Sequence, residues 1–80
     1  MSYQFTLDEM FQLETMANDA IFANRKRLQH AQGKIDLNIK GADASILELT
    51  EEECRDALKR SIEMYVNIND VRCQMEVDGL

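Results

Sequence analysis

The sequence predicts a mainly α protein: an antiparallel pair of long helices with a short β-hairpin or extended connector between them, assembled with other copies into a helical bundle. Three observations carry this. One helix-start pattern occurs twice, at FTLDEM and at LTEEEC. Each occurrence opens a long segment free of proline and glycine. The apolar residues of both segments recur at helical spacing over an unusually wide arc.

In FTLDEM, Thr6 is placed to cap a helix while Glu9, three residues on, reaches back to the Thr6 amide; Phe5 and Met10 flank them as a hydrophobic staple. In LTEEEC the four roles fall to Leu49, Thr50, Glu53 and Cys54. The first helix is expected from about Leu7 to Ala31, stopped by Gly33 in a left-handed C-cap conformation. The second is expected from about Glu51 to Met75, stopped near Asp78 and Gly79. Each is roughly 37 Å long at the usual helical rise, and equal lengths suit an antiparallel pair.

Between them, residues 34–49 are too many for a bare turn. Ile35, Leu37 and Ile39 alternate with Asp36 and Asn38, the period of a half-buried strand. Gly41 and Asp43 supply turn chemistry, and Ile46 to Leu49 can return as a second strand. A small β-hairpin is the favoured reading. A single strand pairing with another chain and a helical turn at Ala44 to Leu47 are the alternatives.

On the first helix the apolar face comprises Leu7, Met10, Leu13, Ala17, Ala20, Ile21, Leu28 and Ala31, with Phe11 and Phe22 to one side and Met16 and Ala23 to the other. The second presents Ala57, Met64, Ile68, Val71 and Met75, flanked by Leu58, Ile62, Tyr65, Val66 and Cys73. Each arc spans roughly 200°, against the 100° or so of an ordinary surface helix. One helix cannot cover another that broadly, so a second chain is expected, giving a homodimer or larger closed assembly.

The 80 residues form one small domain (1–80), and a chain of this size is marginally stable unless disulfides, a metal or self-association add to it. A net charge of −6 argues against nucleic acid or anionic membrane as partner. The start MSYQFTLDEM carries no secretory signal and no apolar stretch reaches the length of a membrane span, so a cytoplasmic location is expected. Cys54 and Cys73 would lie roughly 28 Å apart on one helix, far beyond disulfide reach. His30 is the single histidine, the glycines are dispersed, and the paired carboxylates sit at helix starts, where they complement the dipole. No enzyme, cofactor or metal site is expected.

The stretch IFANRKRLQHAQGK places Arg25, Lys26 and Arg27 in succession, so on a helix they fan out about 100° apart. They would complement the end of the first helix and lie near Glu51, Glu52 and Glu53 at the start of the second. The functional expectation is a non-enzymatic protein-interaction module: an oligomeric helical regulator, inhibitor or co-chaperone binding a protein target through an acidic, partly apolar surface. The nominated interface is Phe11, Phe22, Ile62, Tyr65 and Val66. The alternative is a binder of small anionic ligands or nucleotides, using Arg25, Lys26, Arg27 and His30 within an oligomer, with Lys34 and Lys40 nearby.

Overall fold

The structure is a computed structural model that describes residues 4–38, 41 and 48–79. Helix α1 spans Leu7–Ala31 and helix α2 spans Glu51–Asp78, and the two pack against each other as an antiparallel hairpin. The capping residues act as their spacing predicts. Thr6 Oγ1 accepts from the Glu9 amide at 3.2 Å while the Thr6 amide donates to Glu9 Oε1 at 3.0 Å, a complete reciprocal box. At α2 the Thr50 hydroxyl accepts from the Glu53 amide at 3.1 Å, but Glu53's carboxylate accepts from that hydroxyl rather than closing on the backbone.

Helix α1 ends as a Schellman motif. Gly33 takes φ +74°, the Lys34 amide donates to the Gln29 carbonyl, and the Gly33 amide donates to the His30 carbonyl, both at 2.9 Å. Helix α2 runs one turn past the expected Met75. Gly79 keeps a right-handed φ of −77°, and Arg72–Glu76 and Gln74–Asp78 contacts carry the helix through its last turn. Among the described residues, 34–38 form no strand; instead the Leu37 amide donates to His30 Nδ1 at 3.2 Å, turning the chain back over the end of α1. The remainder of the expected β-hairpin, at 39, 40 and 42–47, lies outside the described residues.

The helices meet along an alternating four- and three-residue spacing: Met10, Glu14, Ala17, Ile21, Asn24, Leu28 and Ala31 on α1, and Cys54, Leu58, Ser61, Tyr65, Ile68, Arg72 and Met75 on α2. Each of these is buried or half-buried, the seam of an antiparallel coiled coil. The seam is small and polar where a leucine-filled one would be large. Its buried apolar residues are Met10, Ala17 and Cys54, beside buried Glu14, Asn24 and Ser61. With extents of 48 × 23 × 16 Å the molecule is a single layer of two helices. Its radius of gyration of 16.0 Å far exceeds the roughly 12 Å of a compact chain of this length.

Candidate functional site

Two polar clusters fix the register of the seam. Near the open end, Asn69 Nδ2 donates to Glu14 Oε1 at 2.6 Å and Arg72 Nε donates to Glu14 Oε2. Arg72 also pairs with Glu76 at 2.9 Å and lies over the Phe11 ring, 4.8 Å from its centroid. Burial pushes the Glu14 carboxyl up, but the hydrogen bonds from Asn69 and Arg72 and the Arg72 charge outweigh it, so it titrates below the ordinary carboxylate value. Toward the connector, Asn24 Nδ2 donates to Ser61 Oγ at 2.6 Å, Ser61 donates to the Ala57 carbonyl at 2.9 Å, and Arg27 donates to Asn24 Oδ1 at 3.0 Å. Apart from Arg27, singled out as part of the basic trio, none of these polar residues was nominated from the sequence. The signal was their place in the four-three spacing, which has meaning only once both helices are in register.

With the seam thus placed, helix geometry divides the remaining surface into two broad faces. One gathers Phe11, Phe22, Ile62, Tyr65 and Val66, so the structure brings the five nominated residues to one side of the hairpin. Phe22 is 54% exposed, Tyr65 is half-buried, and the other three are exposed. Arg25 lies over Phe22 at 5.9 Å, so with Arg72 over Phe11 this phenylalanine face carries a cation on each of its two phenylalanine rings.

No family model, curated protein or solved structure matches this chain.

The opposite face is methionine-rich. Met10, Leu13, Ile68, Val71 and Met75, with Phe5 at the end, line an apolar groove of about 320 Å³. Met16, at 66% exposed, and Met64 stand along the same side.

The basic trio is spread rather than gathered. Arg25 belongs to the phenylalanine face, Arg27 is held by Asn24 toward the methionine side, and Lys26 is exposed between them. His30 accepts the Leu37 amide. The expected approach of the trio to Glu51–Glu53 is not seen: by the register of the seam contacts, residues 25–27 lie level with Ala57 to Lys59, nearly two turns away. Gln32 reaches the start of α2 instead, donating to Glu51 Oε1 at 3.2 Å, and Glu51 pairs with Arg55 at 2.7 Å. Both cysteines are free, Cys54 buried and Cys73 exposed. Among the described residues, no three His, Cys, Asp or Glu side chains converge as a metal site, and no helix is long and apolar enough to cross a membrane.

Proposed function

We propose that this chain is a non-enzymatic, cytoplasmic interaction module that acts as an oligomer and binds a protein target, regulating, inhibiting or chaperoning it. One observation carries the reading. Eleven large hydrophobic side chains are exposed among the described residues, against three hydrophobic residues that are buried. Apolar exposure on that scale, much of it gathered on two faces, is what binding interfaces present. The phenylalanine face is the target-binding surface, because aromatic rings rimmed by arginine are the groups that dominate protein interfaces energetically. The net charge of −6 favours a target with basic residues around its own apolar patch.

The test is capture from the native host with tagged wild type and with the Phe22→Asp/Val66→Asp protein, both checked for helix content by circular dichroism. A protein retained by wild type and lost with the folded variant is the expected result. Equal retention by both would remove the phenylalanine face from the argument. A thermal shift with nucleotides, abolished on changing Arg25, Lys26 and Arg27 to glutamine, would replace this reading with anion binding. A ligand at 100 times its Kd stabilises by about 2.7 kcal/mol, so such a shift is easily seen.

A further inference from the structure

We infer that the methionine-rich face is the self-association surface, and that its occupant is a second copy of this chain stacked face to face and end for end. This rests on the oligomeric reading above and assigns it a surface separate from the target-binding one. The area is right. The chain exposes 6015 Å², whereas a folded monomer of its 9.2 kDa exposes about 4,900 Å². The excess of roughly 1,100 Å² compares with the 800 Å² or so that each partner buries in a standard stable interface. The shape agrees. A second hairpin laid on the first supplies the missing layer of a two-layer domain.

The connector is too short to cover the whole groove. Residues 32–50 leave and return at the connector end, so even fully extended their tip travels about 30 Å. Leu13 already lies about 27 Å from Ala31 along α1, and the groove continues beyond it to Phe5.

Residue order along the face selects a second copy and its direction. The bulky residues (Leu13, Met16, Val71, Met75) occupy the end where α1 begins. Toward the connector the same side carries Ala20, Ala23 and Ala57. A twofold axis across the middle of the methionine face, at the level along the helices of Asn18 and Val66 (which themselves point to the other face), sets Leu13 over the other copy's Ala23, Met16 over Ala20, and Met75 over Ala57. Large then meets small at these three levels, as interdigitating layers require, while Met64 meets the other copy's Ile68 beside the axis. The same operation sets Glu9 opposite Arg27, so charges of opposite sign meet at the rim. A parallel stack would instead pile the bulky ends on one another and leave the alanine ends apart.

The experiment joins mass with cross-linking. Light scattering of the wild-type chain at tens of micromolar should give twice 9.2 kDa. Two proteins, Leu13→Cys and Ala23→Cys, each also carrying Cys73→Ser, are then oxidised separately and mixed. Disulfide-linked dimer should form in the mixture and not in either alone. Linkage of Leu13→Cys with itself would overturn the end-for-end arrangement, and a dimer that links in no combination would overturn the choice of face. A monomeric wild type overturns the inference outright. Because Phe22→Asp/Val66→Asp lies on the other side, that variant should keep its dimer mass. Target capture by a monomeric wild type would leave the target-binding role intact while sinking the dimer.

Discussion

Glu14 stands where an uninterrupted coiled coil would place an aliphatic side chain, and three features make its charge tolerable there: the Asn69 amide, the Arg72 guanidinium and a position at the edge of a thin seam. Its depressed pKa makes the cluster an acid-sensitive contact. Above the ordinary carboxylate value of 4.5 the group is ionised in folded and unfolded chain alike and its stabilisation is complete. As pH falls through the lower folded value that stabilisation is lost. Glu14→Ala should cost about 1–2 kcal/mol at pH 7, kept low because Arg72 retains Glu76 and faces solvent screening. In urea unfolding, the gap between wild type and variant should narrow at pH 3; a gap independent of pH would show that the carboxylate's charge is not what matters. At this scale the sequence was least readable. Glu14, Asn24 and Arg72 look like solvated helix residues until the opposing helix supplies Asn69, Ser61 and Glu14 itself as partners.

The helices themselves were legible because their ends are decided locally. Thr6 with Glu9, and Thr50 with Glu53, satisfy backbone donors within one turn, so the starts of α1 and α2 need nothing from the rest of the chain. Thr6→Ala and Thr50→Ala should each cost about 1 kcal/mol, with Thr6→Ala no larger than Thr50→Ala, because the Thr6 backbone amide keeps its bond to Glu9 whereas both bonds at α2 run through the Thr50 hydroxyl. The two C-terminal glycines differ in kind. A side chain at Gly33 would meet no atom within 4 Å, yet its φ of +74° strains any L residue, so Gly33→Ala should cost about 1–2 kcal/mol. Gly79 is right-handed, but a Cβ there would meet the Met75 carbonyl oxygen at 3.3 Å, so Gly79→Ala should cost about 0.5 kcal/mol, less than Gly33→Ala. Equal effects in denaturant titration would contradict the Schellman assignment. The same contrast separates the two ends: at α1 a left-handed Gly33 closes a Schellman motif, whereas α2 runs through Asp78 and stops at a right-handed Gly79, where the sequence placed the stop. The alternation at Ile35 to Asn38 misled because two-residue periodicity says nothing of what the backbone bonds to, and here Leu37 bonds to a histidine ring.

For the molecule as a whole, the proposed dimer would give a hairpin one helix thick its second layer, so its stability should depend on concentration. Each tenfold dilution should weaken the folded dimer by about 1.4 kcal/mol, seen as a falling thermal midpoint. A midpoint constant from one to a hundred micromolar would mean that the hairpin stands alone. The wide apolar arcs were readable from sequence and reappear as exposed apolar side chains on both helices, whereas the division into two faces required the seam. That seam also sets an order of events in time. Its cross-helix bonds span 19 residues at Gln32–Glu51, 37 at Asn24–Ser61 and 58 at Glu14–Arg72. Closing the longest loop first costs about 1 kcal/mol more in chain entropy than closing the shortest. The hairpin should therefore zip from the connector outward, its transition state holding the Asn24–Ser61 level but not yet the Glu14 level. In stopped-flow measurements Asn24→Ala should chiefly slow folding and Glu14→Ala chiefly speed unfolding. The opposite partition would mean that the chain finds its far ends first, and the Glu14 cluster would then be the nucleus, with the connector end closing after it.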